Sequence, residues 1–236
     1  MNLKPPAMGR FDNYLFHASS LGKLMTESRT KDPLSETCKA HLMQCWIEET
    51  YGREKELTNK YIEKGLAVEE DSITLYSRVT RKFLKKNTEK FSNEFIVGTP
   101  DLIDGEIVVD IKSSWDIFTF FQNIYKPVNK DYGWQISAYV ELMKKKAGRL
   151  VYCLVDTPMH MIEDAKRKLM WQMGVIDPDA NPLYVEACEK IDKAMTFGDI
   201  DIAKRYIEFH IHKLDYPMEK AYAKVELCRK FLNELG

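Results

Sequence analysis

The chain has 236 residues, 44% of them hydrophobic and 30% charged, which excludes a disordered chain and leaves room for a substantial core. Its formal net charge of −1 excludes a protein that holds nucleic acid by bulk charge, but not an enzyme with a local basic groove beside a carboxylate site. No run approaches the ~18 apolar residues of a membrane helix, and the five scattered cysteines contain no C-x-x-C pair. The start, MNLKPPAMGRFDNYLF, lacks the apolar stretch of a secretory signal. A cytoplasmic protein is expected, with no membrane attachment, disulfide framework, zinc site or iron–sulfur site.

In chain order, residues 11–30 read as a short helical segment around HASSLGKLMT, with Ser19 and Ser20 as caps. Residues 35–50 and 54–79 place Leu57, Tyr61, Ile62, Leu66, Ile73 and Tyr76 at helical spacing, which predicts two helices. From 93 to 113 the pattern changes, because FIVGTPDLID and EIVVDIKS flank the pair Asp104-Gly105, a hairpin signal. The aromatic-rich 115–125 starts a helix or an irregular packed segment. Residues 130–147 return to the helical period, with Gly148 placed to end it. RLVYCLVD, 149–156, has the near-continuous apolar character of a buried strand. Helices follow at 158–173 and 183–196, separated by the turn DPDANP. RYIEFHIHKL alternates as a strand does, with Ile207, Phe209 and Ile211 opposite Glu208, His210 and His212, and 217–235 is an amphipathic helix.

Chemistry concentrates in residues 99–115, TPDLIDGEIVVDIKSSW. Side chains two apart on a strand share a face, so Asp110 and Lys112 project together, and Asp101 on the other arm of the hairpin can lie across from Asp110. Two carboxylates so close repel unless a cation sits between them or one takes a proton. Oxygen ligands of this kind suit Mg2+ or Mn2+. Downstream, Gln135 and Tyr139 share one helix face, set to contact phosphates or order Lys112. Upstream, EKGLAVEEDSI offers Glu69 or Glu70 as a third carboxylate.

These residues resemble a known superfamily. Pro100-Asp101 followed by Asp110-Ile111-Lys112 resembles the PD-(D/E)xK nuclease signature, and Gln135-x-x-x-Tyr139 resembles the Q-x-x-x-Y motif of its RecB-like branch. Gly65-x-x-x-Glu69 is similar to the G-x-x-x-E element of the lambda exonuclease and YqaJ viral-recombinase group, which favours Glu69 over Glu70. HASSLGKLM resembles that group's T-A-S element, with Ser19 at the serine position. The matches span roughly residues 10 to 155, and 157–236 carries none.

The resemblance implies an α/β fold with a restriction-endonuclease-like core, a mixed sheet flanked by helices, and a helical C-terminal extension, in one nuclease domain spanning 1–236. It implies Mg2+ or Mn2+ on Glu69, Asp101, Asp110 and the backbone carbonyl of Ile111. Lys112 would be the catalytic lysine, supported by Gln135 and Tyr139. Ser19, Ser20 and Arg10 are the DNA-binding candidates. The family's phosphate-binding arginine has no partner in register, since Asp12 stands near its place and Arg10 just before.

The implied activity is exonucleolytic hydrolysis at double-stranded DNA ends, 5′→3′, in phage-type recombination or repair. It would run in a ring-shaped homo-oligomer, a trimer, and expose a single strand for an annealing protein. A structure- or sequence-specific endonuclease and a non-catalytic DNA-binding protein are the alternatives. The iron–sulfur branch is set aside because Cys153, Cys188 and Cys228 are dispersed. His210 and His212 lack a third ligand in sequence and are expected on a solvent- or DNA-facing strand. Trp115, Phe118, Phe120 and Phe121 are expected in a core or subunit interface, with stacking on unpaired bases as the other reading. His17 is expected to be structural.

Overall fold

The computed structural model describes residues 9–55 and 59–236. Leu57, one of the apolar positions of the expected 54–79 helix, lies outside them. The chain runs β1 (Phe16–His17), a 3-10 turn (Ala18–Ser20), α1 (Leu21–Leu24), α2 (Glu36–Tyr51), α3 (Lys60–Ala67) and α4 (Glu69–Thr80). Then come β2 (Phe91–Ser92), β3 (Ile96–Gly98), β4 (Leu102–Asp104), β5 (Ile107–Ser113), α5 (Ile117–Tyr125), α6 (Lys130–Leu142) and β6 (Ala147–Cys153). It closes with α7 (Met159–Met173), α8 (Pro182–Met195), β7 (Tyr206–Ile211) and α9 (Met218–Glu234).

The central sheet has the order β4-β5-β6-β7, with β5 and β6 parallel and the outer pairs antiparallel. Parallel neighbours need a long crossover, and α5 with α6 supplies it. A smaller sheet, β1-β3-β2, lies beside it. Alternation along the strands sorts side chains onto two faces. Val108 and Leu150 join Ile136 and Val140 of α6 on one face. Val109, Ile111, Val151 and Cys153 join Ile73 and Tyr76 of α4 on the other. Full burial of each Val or Leu side chain stabilises by about 1.5–3 kcal/mol, so both helices are clamped to the sheet. The first cluster continues through Val225, Cys228 and Leu232 of α9 to Cys38 and Leu42 of α2. This is the expected mixed sheet flanked by helices, with a helical C-terminal part.

Several local expectations change. Residues 11–30 hold a short strand and a one-turn helix rather than one helical segment, and neither Ser19 nor Ser20 caps a helix through its side chain. Pairing of Phe16 with Ile96 and His17 with Val97 wins the start of this stretch for the small sheet. The 54–79 helix is two helices broken at Val68, so Glu69 begins α4. FIVGTPDLID divides into β3 and β4, in different sheets, with Pro100 between them. Asp104 pairs with Ile107, so the hairpin turn is Gly105-Glu106. The helix over 130–147 stops at Leu142, and Gly148 belongs to β6. A Cβ there would stand 2.1 Å from Cγ2 of Ile136, so this glycine permits α6 to pack against the sheet.

Candidate active site at the end of the central hairpin

The β4–β5 register pairs Leu102 with Val109. Continued by one residue, it sets Asp101 opposite Asp110. Asp101 lies just before β4, where its Oδ2 accepts the Ile111 amide at 2.7 Å. Asp110 is fully buried and faces α6. Its Oδ1 accepts from Gln135 Nε2 at 3.1 Å, and the same nitrogen donates to the Tyr139 hydroxyl at 3.0 Å. Its Oδ2 stands 2.8 Å from Lys112 Nζ as an ion pair, yet has no hydrogen bond of good geometry. Lys112 Nζ also lies 5.0 Å from the Tyr132 ring centre, over its face.

Electrostatics follow from this burial. Removal from water, then repulsion from Asp110, pushes the Asp101 carboxyl up to about 7, against the pull of Lys112 and the Ile111 amide. Burial likewise raises Asp110, with Lys112 opposing. Burial disfavours the Lys112 ammonium, but Asp110 and Asp101 outweigh it and hold the lysine above its ordinary value. Burial pushes the Tyr139 phenol up to about 12, so Tyr139 is neutral here. The pair of carboxylates is thus held in a state that favours an added positive charge or a proton.

Glu69 lines the cavity that contains Asp101, Ile111 and Lys112, and its Oε2 pairs with Lys86 Nζ at 2.7 Å. Glu70 is exposed and outside that lining. The Ser72 and Ser113 hydroxyls bond at 2.8 Å, tying the first turn of α4 to β5 and fixing where Glu69 starts. Among the described residues, no three His, Cys, Asp or Glu side chains converge into a ready-made cage. Lys86 holds Glu69 and Lys112 holds Asp110. Carboxylate and carbonyl oxygens suit a hard divalent cation in chemistry, and Asp110 Oδ2 is buried without a hydrogen bond. Glu69 would join such a shell by giving up its pair with Lys86.

The cavity measures 640 Å3. Its walls are Tyr61, Ile62 and Leu66 of α3 with Gln122 and Asn123 of α5 and Lys126 just after it, and Tyr132 and Tyr152 stand beside Lys112. Lys64 is buried behind this wall and donates to the Trp115 carbonyl at 2.8 Å. Burial draws its pKa down to about 8. Tyr132, Tyr152 and Lys64 were not singled out from the sequence, and Lys86 stood out there only as one of a basic run with Arg78, Arg81, Lys82 and Lys85. Tyr132 had a legible signal, standing three residues before Gln135 on the same helix face. Lys64 had none.

The other candidates scatter. Ala18, in the T-A-S-like element, nears Tyr139, since a Cβ on Gly98 would meet Tyr139 at 2.5 Å and Ala18 at 3.0 Å. Ser19 is exposed, and Ser20 Oγ donates to the His17 carbonyl. Arg10 donates to the Glu49 carbonyl at the end of α2 and lines a different cavity, with Trp46 and Asn233. The structure therefore does not bring Arg10 to Asp101, Asp110 and Lys112. His210 is exposed beside Glu208, and His17 is exposed on β1. Phe120 is core, whereas Phe118 is 75% exposed and fits no core role.

No family model matches the chain, and no curated protein does. Solved structures do. A phage-related exonuclease from Haemophilus somnus 129PT is 24% identical, with a TM-score of 0.74 over 94% of this chain and 95% of its own. An alkaline exonuclease from Laribacter hongkongensis is 13% identical, with a TM-score of 0.61 over 94% and 90%. A structure of the latter, LHK-Exo, in complex with dAMP gives 12% and 0.59 over 93% and 88%. The chain has the fold of these exonucleases. At 94% coverage that likeness extends over most of residues 157–236, which carry no recognised sequence motif. No helix among the described residues is long and apolar enough to cross a membrane.

Proposed function

We propose that the protein is a metal-dependent deoxyribonuclease acting at double-stranded DNA ends, an exonuclease of the lambda exonuclease and YqaJ-like kind. The observation that carries this reading is the convergence of Asp101, Asp110 and Lys112, with Asp110 buried and one of its oxygens lacking a hydrogen bond. Likeness of fold to two exonucleases supports it. Glu69, Asp101, Asp110 and the carbonyl of Ile111 would hold Mg2+ or Mn2+. When bound, such an ion lowers the pKa of a water and offsets charge building on the scissile phosphate.

The chain's own residues do the rest. Lys112, whose ammonium stands 2.8 Å from Asp110 Oδ2, would offset charge on the phosphoryl oxygens and orient the attacking water. Gln135 fixes Asp110 through Oδ1 and orders Tyr139. Water adds to phosphorus as the bond to the 3′ oxygen breaks, leaving a 5′-phosphate and a 3′-hydroxyl. The wider reading is 5′→3′ polarity, phage-type recombination or repair, a cytoplasmic ring-shaped trimer and a single-strand annealing partner. Ser19 and Ser20 would face DNA. Linear duplexes labelled at either end, beside covalently closed circles, test it with Mg2+ and with EDTA. Metal-dependent loss of the 5′ label with intact circles is expected. Cutting of closed circles would favour an endonuclease.

A further inference from the structure

Trp115 stands where two clefts meet. It lines the catalytic cavity with Lys112, and it also lines a 230 Å3 cleft between α3 and α7 with Lys60, Met161 and Lys168. Lys168 in turn lines a third cleft, of 360 Å3, that extends along α7 to Trp171. Each depression shares a residue with the next. Met161, Asp164, Lys168 and Trp171 recur at intervals of three and four, hence on one helix face. From Met161 to Trp171 that face runs about 15 Å. The clefts therefore form one surface track leading out of the cavity.

The chemistry of the track is aromatic and cationic in alternation. Lys60 Nζ lies 4.8 Å from the Trp115 ring centre, and Tyr61 meets the same ring edge-on at 5.0 Å. Lys64 fixes Trp115 from beneath through its carbonyl. Trp171 is 76% exposed and so packs in no core. Two carboxylates share the lining, but Asp164 is paired with Arg167 at 3.3 Å and Glu63 faces His160 at 3.9 Å. Neither Lys60 nor Lys168 pairs with a carboxylate among the described residues. Lysines with no carboxylate partner among the described residues, set beside the exposed Trp171 indole and the half-buried Trp115 ring, match unpaired nucleotides, whose bases stack and whose phosphates take the cations. Duplex DNA offers the phosphates without open base faces. An apolar peptide would bury the indoles and strand the lysines.

We infer that α7 carries a track for single-stranded nucleic acid, running from Trp115 at the catalytic cavity to Trp171, with Lys60 and Lys168 on the backbone. The inference rests on the nuclease reading for which polymer enters the cavity. It gives residues of the C-terminal part a task, holding the strand next to the scissile bond.

The test is fluorescence anisotropy of a labelled thymidine oligomer of about 12 nucleotides, in EDTA so that no cleavage intervenes. Trp171→Ala is expected to weaken binding roughly 5- to 100-fold, and Trp171→Phe to retain most of it. Lys168→Ala is expected to lower the slope of log K against log salt by about 0.7. Phe83→Ala, at a side chain 96% exposed elsewhere, controls for surface truncation and should bind as wild type. Wild-type protein that does not bind the oligomer, or a Trp171→Ala variant that binds it equally well, overturns the track. A parallel assay of wild-type cleavage with Mg2+ separates the two readings. Trp171-sensitive binding without any cleavage upholds the track and sinks the nuclease. Cleavage with Trp171-insensitive binding does the reverse.

Discussion

Two neighbouring side chains on one face of β5 meet the same helix on different terms. Val108 packs on Ile136 and Val140 of α6 in a fully apolar cluster. Two residues further along, Asp110 is equally buried but meets Gln135 and Lys112, with Tyr139 accepting from the same Gln135 nitrogen. The apolar half supplies rigidity, because close-packed interiors tolerate little displacement. The polar half uses that rigidity, since its charges are kept out of water, where their mutual repulsion is strong. Stability and chemistry thus separate along one strand within a single two-residue step.

Substitutions at either step are expected to affect one property and spare the other. The largest effect belongs to the polar step. Asp110→Ala or Lys112→Ala should lower metal-dependent cleavage at least about 1,000-fold, the scale of removing a charge-stabilising group, with the variants still folded by circular dichroism. Next, Glu69→Gln should raise the Mg2+ concentration for half-maximal activity about 10- to 100-fold, while the exposed Glu70→Gln changes it less than about twofold. Equal effects at both positions would move the third carboxylate off Glu69.

The third expectation concerns pH and metal-free stability. Asp101 has a folded pKa near 7 against about 3.9 unfolded. A carboxyl raised on folding favours the folded state at low pH, and its contribution falls as pH rises from about 4 to about 7. In EDTA at pH 8, Asp101→Asn should therefore be more stable than wild type, by at most about 4 kcal/mol in urea unfolding, and the gain should vanish near pH 4. A gain that grows toward acid would reverse the sign of this argument. Smallest is Val108→Ala, expected to cost about 1–2 kcal/mol of stability and leave kcat near wild type at low temperature.

Much of the site was legible because strand geometry is local. The Asp104-Gly105 signal and a two-residue period locate the hairpin that carries Asp101 and Asp110, although the turn falls one residue later, at Gly105-Glu106, and it is that register which sets the two opposite; a four-residue helical spacing puts Gln135 with Tyr139. What escaped depends on distant contacts. The break at Val68 carries no proline or glycine, so one periodic stretch hid two helices and with them the position of Glu69. Gly148 misled because a glycine after a helical pattern signals a cap, whereas here close approach of Ile136 requires it. Lys86 reaches Glu69 from a segment without regular structure, and no pattern along the chain announces such a contact.

The most direct measurement compares wild type with Lys112→Ala on an end-labelled linear duplex, with Mg2+ titrated against EDTA. Wild type is expected to release the label only with metal, and Lys112→Ala to release almost none at any metal concentration. Metal-dependent release by Lys112→Ala at the wild-type rate, or none by wild type under any condition, would contradict a nuclease centre built on Asp101, Asp110 and Lys112.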